Sequence, residues 1–251
     1  MSDKDGARMR KRVLIGAGSF AEAEGALRLV EAIARLHAAE LHGLLLSELA
    51  TQEMAQAFGG RVVSLSGHIR AAPTGEQIRH LSRGEERAFR QALARLAEAR
   101  GASWSFESRT GELSRTVSET FAQWDFFVVA RQRRRMSAGR VVLLHALGGR
   151  VRGEGRRLAE LLGGAHSRVV ELALPDAGAP AGEAAEAGTA APQSAAIGQG
   201  DAALLILDLA GARRIDEGWL RRILDAARCP VLILGPGAGD EGPEEGGGTR
   251  G

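Results

Sequence analysis

Short apolar runs alternate with helical stripes along the first half of the chain. Residues 12–15 form a short strand that is apolar after its first residue, Arg12, as in a central parallel strand that is covered on both faces. A glycine turn, Gly16-Ala17-Gly18-Ser19, follows, and apolar positions over residues 21–37 then recur at helical spacing. Ser19 is a favourable N-cap for that helix, and residues 41–46 form the next apolar strand. The pattern predicts a strand, a turn, a helix and a second strand.

The same order returns in the second half of the chain. Residues 141–144 form an apolar strand, Gly148-Gly149 resembles the first turn, a helix rich in Leu and Arg follows, and residues 169–174 form another strand. A strand, a glycine turn and a helix together make the place where α/β sheets bind ligands, because the helix N-terminus offers free N–H groups. The repeat therefore predicts both the fold class and two positions for a ligand.

The remaining elements complete an alternation of strands and helices. The first half continues with a helix over 76–100, strands over 104–108 and 126–130, and a short helix over 112–123. The long helix has an inner stripe: Leu81, Ala88, Phe89, Ala92, Leu93, Leu96 and Ala97. The second half continues with a strand over 203–209, a helix over 216–228 that Asp216 caps, and a strand over 230–234.

This alternation predicts an α/β fold, a Rossmann-like or flavodoxin-like parallel sheet with right-handed crossovers. The predicted domains are a repeat over 12–140 and a degenerate repeat over 141–235, between disordered tails at 1–11 and 236–251. Residues 175–200 are rich in Ala, Gly, Pro, Glu and Gln, a composition that predicts a linker. That segment stands where the first repeat has its long helix and third strand, so the second repeat is predicted to be eroded.

Composition excludes several classes of protein. The formal charge is only +2, and the excess of Arg over Lys is more typical of a GC-rich genome than of nucleic-acid binding. One cysteine, Cys229, forms no internal disulfide and fits a small buried hydrophobe. The N-terminus has no apolar signal region, and no apolar run is long enough to span a membrane. We therefore expect a cytoplasmic protein without membrane or nucleic-acid partners.

The chain resembles the universal stress protein family in its tandem form. The resemblance rests on RVLIGAGS at 12–19, ALRL at 26–29, AELHGLL at 39–45, AEARG at 97–101, GEL at 111–113, WDFFVV at 124–129 and RCPVLIL at 228–234. It covers most of 12–130 and scattered parts of 141–235. The resemblance implies a five-stranded sheet and an internal pseudo-dimer of the two repeats, and a homodimer of whole chains stays open. It also implies a protein of either the ATP-binding or the non-binding type.

The sequence departs from the ATP-binding type at two places. That type carries an aspartate at the end of the first strand, and the resemblance puts Ala17 there. It also carries spaced glycines after the fourth strand, where this chain has Arg131 and the further arginines 133–135. Backbone N–H groups wrap phosphates only where side chains do not intervene. The family's ATP site is therefore predicted to be degenerate, which leaves at most weak ATP binding.

Two interpretations of the Gly16, Ala17, Gly18 and Ser19 turn stay open, a phosphate cradle with Arg131 nearby or a tight turn capped by Ser19. Glu22 and Glu24 favour the second, since they suit the helix dipole but repel an anion. The arginines after residue 130 fit a solvated connector better than a phosphate or RNA contact, because interleaved aromatics are absent. Among six histidines, His145 ends a central strand, where ligands often bind, yet a structural role is favoured.

These features favour a non-enzymatic stress-response or regulatory protein that acts through contacts with an unidentified protein, with no cofactor and no metal. No nucleophile motif is visible, and no histidine pair has metal-ligand spacing. The alternative is an ATP- or AMP-binding module that uses the Gly16–Ser19 turn. A third class, an adenine-nucleotide α-hydrolase-like enzyme, would require an S-G-G-x-D-S loop that the chain lacks.

Overall fold

Strands and helices alternate along the chain in the computed structural model, which describes residues 10–47, 61–63, 69–71, 75–130, 139–146, 153–164, 167–174, 202–209, 212 and 214–238. The first half contains β1 (Lys11–Ala17), α1 (Phe20–Leu36), β2 (Ala39–Ser47), β3 (Arg61–Val63), β4 (Ile69–Ala71), α2 (Gly75–Arg100), β5 (Ser103–Thr110), α3 (Leu113–Thr120), a 3₁₀ turn (Phe121–Gln123) and β6 (Phe126–Val129). The second half contains β7 (Arg140–Ala146), α4 (Gly153–Gly163), β8 (Val169–Leu174), β9 (Ala202–Asp208), α5 (Glu217–Ala226), β10 (Val231–Leu234) and a 3₁₀ turn (Pro236–Ala238).

Eight strands form one sheet in the order β5-β2-β1-β6-β10-β9-β7-β8, and β3 pairs with β4 in a separate two-stranded sheet. The first four strands of that order are mutually parallel, and so are the last four. The two sets meet where β10 runs antiparallel to β6, with Val231 opposite Val129. The predicted α/β fold with a Rossmann-like sheet is confirmed: the sheet is mostly parallel, with this one antiparallel junction among its described strands. The carboxyl ends of the two sets therefore lie at opposite edges of the sheet.

The core consists of two apolar layers, one on each face of the sheet. We call the face that carries α1, α2 and α4 the first face, and the face that carries α3 and α5 the second face. Alternate residues of each central strand supply the two layers; Val13 and Ile15 of β1, for example, point to the first face and Leu14 to the second. This explains why the central strands are apolar throughout rather than alternating.

The end of β10 is fastened to the start of β6. Gly235 donates its N–H to the carbonyl oxygen of Asp125 at 2.8 Å, and Lys11 Nζ donates to the carbonyl oxygen of Gly237 at 2.6 Å. Asp125 Oδ2 accepts from the N–H of Arg12 at 2.6 Å, which joins β1 to the same corner. These three hydrogen bonds hold the last strand of the second half against the first half.

Several boundaries differ from those that the sequence predicts. Strand β1 begins at Lys11, which the sequence assigns to the N-terminal tail. The Pro236–Ala238 turn, in which Ala238 is buried, lies within the predicted C-terminal tail. Leu81 was placed on the inner stripe of the long helix, yet 65% of it is exposed, because α2 covers β2 and β5 only from Phe89 onward. The predicted linker at 175–200 lies outside the described residues, as do most residues of both tails.

Candidate ligand site at the strand ends

The predicted ligand turn lies at the carboxyl ends of β1 and β6, where connections leave the sheet in opposite directions. From β1 the chain passes through α1 to β2 on one side, and β6 lies on the other side of β1. Open α/β sheets bind ligands in the crevice that such a reversal creates. The structure places Gly16, Ala17, Gly18 and Ser19 at this position, whereas Arg131 lies outside the described residues.

A carboxylate of the chain itself occupies the start of α1. The N–H of Gly18 donates to Glu22 Oε2 at 2.8 Å, and the N–H of Glu22 donates to Ser19 Oγ at 3.3 Å. Ser19 is therefore the N-cap, as predicted, and Ser19 and Glu22 form a reciprocal arrangement close to a capping box. Because helix N-termini attract anions through these same N–H groups, Glu22 competes directly with any phosphate.

The other residues of the turn have structural reasons to be small. A Cβ added to Gly16 would lie 2.5 Å from Leu113 Cδ1, so this glycine makes room for α3 rather than for a ligand. Ala17 and Ala130, the last described residues of the β1 and β6 segments at this edge, are both buried and apolar. Among the described residues, the ends of β1 and β6 therefore offer a ligand no charged side chain.

The equivalent strand ends in the second half carry polar side chains. His145 of β7 lies opposite Asp208 of β9 in the parallel register. His145 holds the position that Ala17 holds in the first half, and Asp208 the position that Ala130 holds there. Asp208 is buried, and a Cβ at Gly155 would lie 2.9 Å from its Oδ2, so the carboxylate packs against the first turn of α4. Both helices that follow a first strand thus begin beside an acidic side chain. The sequence singled out His145 but missed Asp208, because Asp208 ends an otherwise ordinary apolar strand.

A second buried polar pair joins the two halves on the first face. His37 Nε2 lies 2.8 Å from Glu154 Oε1, and only 3% of the Glu154 side chain is exposed. The hydrogen bond from His37 lowers the pKa of Glu154, against the opposing effect of burial. His37 follows α1 and Glu154 is in the first turn of α4, so this pair fastens the two helices together. Sequence reasoning missed it, since the two residues are 117 positions apart.

The single cysteine of the chain is structural. Burial raises the pKa of Cys229 to about 11, so its thiol stays protonated at neutral pH and is a poor nucleophile. Across the part of the chain that the structure describes, no group of three or more His, Cys, Asp or Glu side chains is arranged to hold a metal ion. The helices in the same ranges include none with the length and apolar character needed to cross a membrane.

Comparison with known proteins gives a likeness to solved structures only. Neither a protein-family model nor a curated protein matches the chain significantly. A universal stress protein from Archaeoglobus fulgidus is 11% identical, with 89% of this chain and 96% of that chain covered and a TM-score of 0.38. A protein of unknown function from Pseudomonas aeruginosa, PA1789, is 14% identical, with 90% and 93% covered and a TM-score of 0.40. The hypothetical protein MJ0577 is 14% identical, with 66% and 97% covered and a TM-score of 0.34.

Proposed function

We propose that this chain is a non-enzymatic regulatory protein of the universal stress type that acts through contacts with another protein and does not bind ATP tightly. One observation carries the proposal: Glu22 occupies the N–H of Gly18 at the start of α1, where a phosphate would have to bind. The apolar side chains of Ala17 and Ala130 beside it offer no hydrogen bonds to a ligand. A fold of this class serves binding as readily as catalysis, so the site rather than the fold decides the function.

The sheet supports a proposed assembly. We propose that the two halves act as an internal pseudo-dimer, since four described strands of each half join one sheet and β10 pairs with β6 across its centre. A protein partner would then meet the outer surfaces of the sheet and helices, and we propose a cytoplasmic setting for that contact.

Isothermal titration tests the proposal on nucleotide binding. We expect ATP to bind the intact protein with a Kd weaker than about 100 μM, equivalent to a binding free energy smaller than roughly 5.5 kcal/mol. ADP and AMP should bind no more tightly, since Ala17 and Ala130, the described residues at the ends of β1 and β6, offer no polar side chain to the base and ribose. A low-micromolar Kd for any of the three would overturn the proposal and favour the nucleotide-binding alternative at the Gly16–Ser19 turn.

Two variants test whether Glu22 is the cause. Glu22→Ala frees the N–H of Gly18 and removes a negative charge, so binding of tripolyphosphate should strengthen by about fivefold or more relative to wild type. Glu24→Ala is the matched control, because Glu24 has the same charge in the same helix but pairs at 3.8 Å with exposed Arg28. Equal strengthening in both variants would show a general charge effect rather than a blocked turn.

A further inference from the structure

The second face of the sheet carries an exposed polar group at the β2–β5 edge. His42 of β2 lies directly opposite Ser105 of β5, and Glu107 stands two residues further along β5. Because side chains alternate along a strand, Ser105 and Glu107 point to the same face as their cross-strand neighbour His42. The parallel register therefore brings a hydroxyl, an imidazole and a carboxylate together, from residues that are 63 and 65 positions apart in the chain.

The three side chains contact each other in series. Ser105 Oγ lies 2.7 Å from His42 Nδ1, the distance of a short hydrogen bond. His42 Nε2, on the other side of the ring, lies 3.9 Å from Glu107 Oε2. At 3.9 Å the carboxylate acts on the ring through its charge rather than through a hydrogen bond, and in the tautomer that carries its proton on Nε2, Nδ1 accepts the hydroxyl proton of Ser105. This is the order of nucleophile, base and orienting acid that activates a serine.

The surroundings of His42 suit a base rather than a permanent cation. The ring packs against Trp124 at a centroid distance of 5.3 Å, and 19% of the side chain is exposed. This burial lowers the pKa of His42 below its ordinary value of 6.5, and Arg109 lowers it further, while Glu107 and Glu40 oppose the shift. The imidazole is therefore neutral at pH 7 and able to accept a proton.

We propose that Ser105 is an activated nucleophile that accepts an acyl group from an activated ester or thioester, with His42 as its general base and Glu107 as a positioning residue. The proposal concerns this single acyl transfer and does not rest on the proposed function. Ser105 is exposed on the outermost strand, so an acyl donor reaches it without any opening of the core.

The step balances without an additional reagent. Ser105 Oγ forms a bond to the acyl carbon while the hydroxyl proton passes to His42 Nδ1. The bond from the acyl carbon to the ester oxygen or thioester sulfur breaks, and the leaving group departs with the electron pair. The resulting imidazolium returns its proton to water. Strand β5 lies at the edge of the described sheet, where alternate backbone N–H groups have no neighbouring strand.

Acylation by p-nitrophenyl acetate tests the proposal on the intact protein. We expect release of one equivalent of nitrophenolate, and peptide mass spectrometry should place one acetyl group on Ser105. Ser105→Ala should abolish this labelling, and His42→Gln should slow it by about 100-fold or more, as expected for loss of a general base. Ser103→Ala is the matched control, since Ser103 is an exposed serine on the same strand and the same face but lies opposite Glu40. It should label like wild type.

The pH dependence separates the positioning role of Glu107 from a structural one. In wild type the labelling rate should fall as the pH drops below the lowered pKa of His42. Glu107→Gln removes a group that raises that pKa, so the falling limb should move to lower pH while the plateau rate decreases. Acetylation spread over several residues, or a Ser105→Ala rate equal to wild type, would overturn the proposal. A Glu107→Gln profile identical to wild type would overturn the role of Glu107.

Discussion

Replacing His37 with alanine is expected to lower the free energy of unfolding by about 3 kcal/mol or more, because the Glu154 carboxylate would remain buried without its hydrogen-bond partner. Removing one member of a buried pair costs more than the pair itself contributes, since the remaining charge loses water without compensation. Urea unfolding monitored by circular dichroism measures the change. Arg35→Ala is a suitable control, because Arg35 lies in the last turn of the same helix but pairs with Glu31 at the surface.

The same pair predicts how stability depends on pH. The hydrogen bond from His37 lowers the pKa of Glu154 below its ordinary value of 4.5. A carboxyl group whose pKa is lowered by folding contributes its stability above the unfolded-state pKa and loses it as the pH falls through the folded-state pKa. Stability should therefore decline below about pH 4.5. Glu154→Gln should flatten this part of the profile, and an unchanged slope in that variant would contradict the assignment.

The second large effect is expected at Gly235. Its Cβ position lies well inside van der Waals contact with the carbonyl oxygen of Trp124, a backbone atom that cannot rotate away. Gly235→Ala should therefore lower the free energy of unfolding by about 3 kcal/mol, the upper range for overpacking. Gly84→Ala is the matched control, because a Cβ there meets nothing within 4 Å in the middle of α2. That variant should raise stability by roughly 0.5–1 kcal/mol.

Equal small effects in Gly235→Ala and Gly84→Ala would contradict the close approach of β10 to the start of β6. The two variants can be compared directly because both add the same methyl group. At Gly235 the methyl group meets backbone, and at Gly84 it enters open space. Measuring both by the same urea series removes differences in the unfolded state that a glycine substitution introduces by itself.

Local patterns predicted most of the elements but not how they meet. The apolar run before Gly16 and the helical stripe after Ser19 gave β1 and α1, and residues 169–174 were predicted to the residue as β8. Such signals are local, because burial on both faces or on one helical stripe is visible within a few residues. The capping by Glu22 can also be predicted from the sequence, because Ser19-x-x-Glu22 is the spacing of a capping box.

The contacts between distant segments could not be predicted in this way. Nothing near His42 indicates that Ser105 will lie opposite it, because the register of β2 and β5 is set by how the intervening helix α2 packs. The antiparallel junction of β6 and β10 is equally hidden, since both strands are uniformly apolar and either direction buries them equally well. Leu81 follows the helical period of α2 but lies beyond the part of that helix that covers the sheet.

The interdependence of the two halves is tested most directly by unfolding the intact chain in urea with one tryptophan at a time. A variant that retains only Trp124 reports on the first half, and one that retains only Trp219 reports on the second, with the other tryptophans replaced by phenylalanine. Because β6 and β10 share one ladder and His37 pairs with Glu154 between the halves, in each variant the tryptophan fluorescence and the circular dichroism of the whole chain should change at the same urea concentration with the same steepness. Two separate midpoints would show that the halves fold independently and would contradict a single sheet held together at β6 and β10.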